Sequence, residues 1–178
     1  MLILDLCGGT GAWSQPYADA GYRVVIVDPV RDGQDVRLFE RLRVPVHGIL
    51  AAPPCTVFSY ARNRYAPTSA EFLAGLSVVD ACLRVIFAHR EHLRWWALEN
   101  PVNKLRRWLG PPRLVFRHWE YGDGAHKPTG IWGDFVPPVK RPRPRAKPST
   151  FRTKQANAEP RDAVTPAGFA RAFFEANP

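Results

Sequence analysis

Three short segments of this chain carry side chains able to do chemistry. The first is Cys7-Gly8-Gly9-Thr10-Gly11, where Gly9 and Gly11 would let the backbone approach a nucleotide-like ligand closely. Asp28 follows at the end of the next apolar run, where a carboxylate could accept hydrogen bonds from ribose hydroxyls. Sites for NAD, FAD and S-adenosylmethionine share this pattern, and so does a purely structural glycine turn. Asp35, in a polar stretch beyond it, could accept from an adenine amino group or be a plain turn residue. The second segment is Pro53-Pro54-Cys55, trailed by Ser59, Arg62, Asn63 and Arg64. A thiolate is a strong nucleophile and nearby cations favour it; the alternative is an inert, buried thiol. The third is Glu99-Asn100-Pro101. An acid there could protonate or hydrogen-bond a heterocycle, or belong to the cap of a following helix.

These residues sit at the ends of elements that hydrophobic patterning predicts. Leu2 to Leu6 is an apolar run feeding the glycines, Ser14 to Ala20 reads as a helix closed by Gly21, and Arg23 to Val27 is a β-branched run ending in Asp28. Strand, glycine turn, helix and strand make a βαβ unit of ~30 residues. After a short amphipathic piece from Val36 to Leu42, Val46 to Ala51 reads as a third strand running into Pro53 and Pro54, which cannot continue it. Thr68-Ser-Ala-Glu71 fits a capping box, and apolar residues from Phe72 to Phe87 at helical spacing predict a long helix ending near Glu91. Cys82 lies within that pattern and reads as a buried apolar residue. Trp95 to Leu98 is the next strand, Asn103 to Leu109 allows a helical turn or two, and Leu114 to Tyr121 and Ile131 to Phe135 are later strands. The alternation predicts a doubly wound α/β sheet, with all three chemical segments at one edge.

Composition limits the function classes. The chain has 178 residues and a formal charge of +9, a size suited to one domain and a balance suited to an acidic partner. Every apolar run is interrupted well before the ~18 residues a membrane span needs, and no signal-peptide pattern opens the chain, so a cytoplasmic, membrane-free protein is expected. The three cysteines have the spacing of neither a disulfide framework nor a zinc site. From Pro137 to Lys154 five prolines alternate with seven cations, Lys140, Arg141, Arg143, Arg145, Lys147, Arg152 and Lys154. That predicts an extended cationic arm able to bind phosphates or, more plainly, to aid solubility. Thr165-Pro166 then offers an N-cap and a first-turn proline for a last helix.

Taken together and in this order, the segments resemble the DNA (cytosine-5)-methyltransferase family. Asp5-Leu-Cys-Gly-Gly-Thr-Gly11 is similar to its cofactor motif, Ala52-Pro-Pro-Cys-Thr-Val-Phe-Ser59 to its nucleophile loop, and Leu98-Glu-Asn-Pro101 to its Glu-Asn strand. Ala163-Val-Thr-Pro-Ala-Gly-Phe-Ala170 is similar to its last motif, a helix that returns to complete the cofactor pocket. The resemblance implies a Rossmann-like sheet with helices on both faces. It also implies S-adenosylmethionine as cofactor, held by Asp5, Cys7, Gly9, Gly11, Trp13, Asp28, Asp35 and Pro53. DNA is the implied substrate, met by Pro54, Ser59, Arg62, Asn100 and Pro101. Cys55 would add to cytosine C6 and Glu99 would hold N3 and the exocyclic amine, making C5 nucleophilic.

The chain also departs from the family. Cys7 stands where the family usually has an aromatic residue against the adenine, and Trp13 could supply stacking or belong to the core. No Gln-x-Arg-x-Arg segment is present; Lys127 or Thr129, in His126-Lys-Pro-Thr-Gly130, could replace its contact with the cytosine carbonyl or simply form a turn. The family's target-recognition domain is missing. The expected organisation is a catalytic core over 1–136, the basic arm over 137–160 in place of that domain, and a C-terminal helix over 161–178 packing back on the core. With Arg141, Arg143 and Arg145 on phosphates, binding would carry little sequence information. A free cytosine nucleotide such as dCMP is the alternative substrate, and a catalytically idle nucleic-acid binder the alternative role.

Overall fold

The computed structural model describes residues 1–59, 66–122, 128–140 and 164–178. Its centre is a six-stranded sheet. In chain order the elements are strand β1 (Leu2–Leu6), helix α1 (Gln15–Asp19), β2 (Arg23–Val27), β3 (Gly48–Ala51), helix α2 (Ser69–Ala88), β4 (Trp95–Pro101), the short helix α3 (Arg106–Leu109), β5 (Leu114–Arg117), a 3-10 turn (His118–Tyr121), β6 (Pro128–Asp134) and helix α4 (Ala167–Ala176). The sheet order is β2-β1-β3-β4-β6-β5. The first four strands are parallel, while β6 runs antiparallel to both β4 and β5.

The mixed α/β architecture follows from where the apolar residues point. All five residues of β1 are buried, as a strand covered on both faces requires. Its alternate residues join different cores. Leu2, Leu4 and Leu6 pack with Ile49, Ala51, Leu98 and the α2 residues Val79, Cys82, Val85 and Ile86. Ile3 packs with Leu50, Trp95, Ala97, Trp13 and Tyr17 and with Phe169 and Phe173 of α4. Helix α2 thus covers one face, and α1 and α4 cover the other.

Several elements depart from the sequence expectation for identifiable reasons. Helix α2 starts as the capping box predicts, with Glu71 N–H donating to Thr68 Oγ1 at 3.2 Å and Thr68 N–H to the Glu71 carboxylate at 2.8 Å. It ends at Ala88 rather than near Glu91, because buried His89 bonds the Val85 carbonyl through Nδ1 and the Leu42 amide through Nε2. The stretch from Val36 to Leu42 forms turns instead of an amphipathic element, leaving Leu38 82% exposed. Strand β4 continues through Glu99, Asn100 and Pro101, since β6 pairs alongside with Ile131, Gly130 and Thr129 opposite them. The last helix begins one residue later than expected: Pro166 is the N-cap and Thr165 lies outside it.

Candidate active site

Strand β1 leads through its own helix to β2 on one side, whereas β3 leads through α2 to β4 on the other. Where connections diverge in this way, a crevice opens beyond the carboxyl ends of the strands. A cavity of about 250 Å³ lies there, lined by the glycine turn, Trp13, Ala52 to Cys55, Glu99, Val164 and Thr165. Segments about fifty residues apart in the chain therefore meet because β1, β3 and β4 are adjacent and parallel. Ligand clefts commonly measure ~300 Å³ or more, so this one lies near the lower end of that range.

The glycine turn is built for close approach. Cys7, Gly9 and Gly11 all have positive φ, at 55°, 49° and 76°, a conformation costly for Cys7 and easy for glycine. A Cβ at Gly8 would lie 2.5 Å from the Asp5 carboxyl carbon, so no larger residue fits beneath the turn. Gly9 N–H donates to Asp28 Oδ2 at 3.0 Å, and Val30 N–H donates to Asp28 Oδ1 at 2.9 Å. Asp28 thus braces the turn from the end of β2. Arg31 lies across it, donating to the Thr10 carbonyl at 2.6 Å. The Gly11 carbonyl accepts from Gln15 N–H at 2.9 Å and starts α1.

Asp5 is the polar exception in an apolar strand. Ser14 Oγ donates to its Oδ2 at 2.5 Å, but Oδ1 is buried without a hydrogen-bond partner among the described residues. Burial pushes the carboxyl up to about 6, against the lowering effects of Ser14 and Arg31. Trp13 Nε1 is likewise buried without a partner among the described residues. The Trp13 ring packs on Phe169 and Phe173 at centroid distances of 6.0 and 5.5 Å, so it both lines the cavity and belongs to the core. Both residues that carry these unpartnered atoms line the cavity, and a buried polar atom left without a partner calls for an explanation.

The Pro53-Pro54-Cys55 loop is held from behind. Asn100, fully buried, donates from Nδ2 to the Pro53 carbonyl at 2.9 Å, and the Cys55 carbonyl accepts from Phe58 and Ser59 N–H at 3.0 Å each. Period-2 alternation puts Glu99 on the α1/α4 face with Ala97 and Trp95, and Asn100 on the α2 face with Leu98. Glu99 therefore lines the cavity while Asn100 anchors the loop. Cys55 is a partly exposed thiol, and Cys7 and Cys82 are thiols whose sulfurs lie 4.0 Å apart.

The cavity brings together Asp5, Cys7, Gly9, Trp13, Pro53, Pro54, Cys55 and Glu99. Gly11 and Asp28 support the turn without lining it. Asp35 is tied to Arg37, whose guanidinium holds its carboxyl below the usual range, and it lies outside the lining. Pro101 is buried in β4 opposite Thr129. Thr129 Oγ1 is 3.3 Å from His118 Nε2, and both border a second void of about 10 Å³ that Glu99, Val164 and Thr165 also line. That void has room for about one water. Arg62, Lys127, Arg141, Arg143 and Arg145 lie outside the described residues. Residue patterning missed Ser14 as the Asp5 partner, Arg31 over the turn and His118 beside Glu99; only the last two carry no local signal, because tertiary packing alone brings them there.

With a thiol, a carboxylate and a glycine turn at one opening, the site could add a nucleophile to an electron-poor ring while holding a nucleoside-containing cofactor. Among the described residues no group of three or more His, Cys, Asp or Glu could hold a metal ion, and no helix is long and apolar enough to cross a membrane. No protein-family model matches the chain, and neither does any curated protein.

Proposed function

We propose that this cavity is the active site of a minimal S-adenosylmethionine-dependent methyltransferase that modifies cytosine C5 in DNA, on a doubly wound, Rossmann-like sheet. One observation carries the reading: the cofactor-like turn, the Pro-Pro-Cys loop and the Glu-Asn strand, which resemble the DNA (cytosine-5)-methyltransferase family in sequence, line or brace a single cavity. The cofactor fits the residues present. Asp5 and Trp13 line the cavity and each carries a buried polar atom with no hydrogen-bond partner among the described residues, and Cys7, Gly9 and Gly11 give the turn positive φ. Asp5, Cys7, Gly9 and Trp13 would hold S-adenosylmethionine, which when bound supplies a methyl group on a sulfonium sulfur.

The chain's own residues prepare the base. Aromatic C5 is a poor nucleophile, so the Cys55 thiolate adds to C6 and places enamine density on C5. Glu99 hydrogen-bonds N3 and the exocyclic amine, preventing negative charge from accumulating on the ring. Asn100 keeps the Cys55 loop at the cavity through the Pro53 carbonyl. Once C5 is substituted, loss of its proton to a base expels Cys55. In duplex DNA the target base must first leave the stack.

The test uses a DNA oligonucleotide carrying 5-fluorocytosine, whose fluorine blocks the final elimination. Incubation with S-adenosylmethionine should yield a covalent protein–DNA adduct. Cys55→Ser should give none, and Glu99→Gln should slow its formation by roughly 10²–10⁴-fold. An adduct that persists in Cys55→Ser sinks the mechanism. Methyl label found on dCMP and not on DNA would move the substrate to a free nucleotide, and label on neither would sink the methyltransferase reading.

A further inference from the structure

Between Glu99 and Glu120 the chain carries five Lys or Arg residues and no acid. Three of the cations, Lys104, Arg106 and Arg107, fall on the turn into α3 beside Trp108, on the side of the molecule where β4 ends. Arg106 and Arg107 are exposed and form no ion pair among the described residues. Trp108 is 52% exposed. A single exposed aromatic is ordinary on a protein surface; this one is held in a defined place. Its ring lies 4.8 Å from Phe72, which in turn sits 5.4 Å edge-on to fully buried Phe58. Lys104 N–H donates to the Phe58 carbonyl at 3.2 Å, and Phe58 N–H donates to the Cys55 carbonyl at 3.0 Å. Two hydrogen bonds and a ladder of three aromatic rings therefore join this turn to the Cys55 loop.

We propose that the turn from Lys104 to Trp108 is a docking surface for single-stranded nucleic acid beside the cavity, with Arg106 and Arg107 on phosphates and Trp108 stacking on an unpaired base. The inference rests on the methyltransferase reading for its partner class and adds where, and in what form, the strand is held. Uncompensated cations match a phosphate backbone. An exposed ring next to these cations in the chain offers a surface on which an unstacked base can stack, which favours a single strand or a locally opened duplex over an intact one. A ring pinned through Phe72 loses little freedom on stacking, so more of the contact energy remains as affinity.

The experiment measures binding of the full chain, without cofactor, to fluorescein-labelled oligothymidylate and to a hairpin duplex by anisotropy across a NaCl series. Trp108→Ala should weaken single-strand binding about tenfold with the salt slope intact, since stacking is uncharged. Trp108→Phe should retain most of the affinity. The Arg106→Gln/Arg107→Gln double variant should reduce the log–log salt slope by about 1.4, two phosphates' worth on a single strand. Arg90→Gln/Arg94→Gln, with the same charge change where β4 begins, should leave both affinity and slope near wild type. Unchanged binding in Trp108→Ala, loss no greater than in the Arg90/Arg94 control, or equal loss on the duplex would overturn the surface. The fluorocytosine adduct separates the two ideas: binding through Trp108 without an adduct removes the chemistry and keeps the surface, and an adduct indifferent to Trp108 does the reverse.

Discussion

A carboxyl group buried in the middle of an apolar strand is unstable as an anion, and Asp5 shows the consequence. Its carboxyl is raised from 3.8 to about 6 by burial. Because the folded state holds the proton more tightly than the unfolded chain, this residue favours folding fully below pH ~3.8, and that contribution is lost as pH rises through about 6. At 1.36 kcal/mol per unit the difference amounts to about 3 kcal/mol. Asp5→Asn keeps an acceptor for Ser14 and removes the titration. The unfolding free energy of wild type, measured by denaturant titration, should therefore fall by about 3 kcal/mol relative to Asp5→Asn between pH 3.5 and 7. A pH-independent difference would mean that Asp5 titrates normally. A cationic ligand in the cavity favours the ionised carboxylate, so calorimetry should find S-adenosylmethionine binding tighter as pH rises through about 6 in wild type, and flat in Asp5→Asn.

At the scale of elements, α4 does more for the site than its distance along the chain suggests. Phe169 stacks on Phe116 with centroids 4.0 Å apart and also meets Tyr121 and Trp13. Gly168 carries no side chain because a Cβ would lie 1.8 Å from the Tyr121 carbonyl oxygen. The residues just before the helix, Val164 and Thr165, line the cavity. Phe169→Ala should cost about 3–5 kcal/mol and lower the melting temperature by about 6–20 °C at 2–4 °C per kcal/mol. It should also weaken cofactor binding. Thr68→Ala, which removes the α2 capping box without touching a residue that lines the cavity, should cost about 1 kcal/mol and leave cofactor binding unchanged. If both variants bind cofactor as wild type does, α4 is a structural buttress only.

At the scale of the whole molecule, the charge of +9 is unevenly distributed: five cations stand between Glu99 and Glu120, and seven more between Lys140 and Lys154. Charge of this kind sets the salt dependence of binding to a polyanion. Replacing Arg141, Arg143 and Arg145 by Ala should weaken DNA binding to the same degree on oligonucleotides of different sequence, and flatten its salt dependence, as filter binding would show. Loss confined to one sequence would instead mean that the arm reads bases.

Local chemistry is written locally, and that much the sequence determined unaided: the glycine turn after an apolar run, the Thr68–Glu71 capping box, the prolines that end β3, and Cys55 and Glu99 near strand ends. The α/β class followed from alternating apolar periods. Long-range pairing was beyond its reach. Only the tertiary structure showed that β6 returns antiparallel beside β4, which extends that strand through Glu99 and, by alternation, gives Glu99 to the cavity and Asn100 to the loop behind it. It likewise decided that Asp28 braces the turn while Asp35 pairs with Arg37, that His118 sits beside Glu99, and that Trp108 is tied through Phe72 to the Cys55 loop. A residue's type and its neighbours set what it can do; which of its capacities is used depends on contacts between residues far apart in the chain, and those exist only once the sheet is assembled.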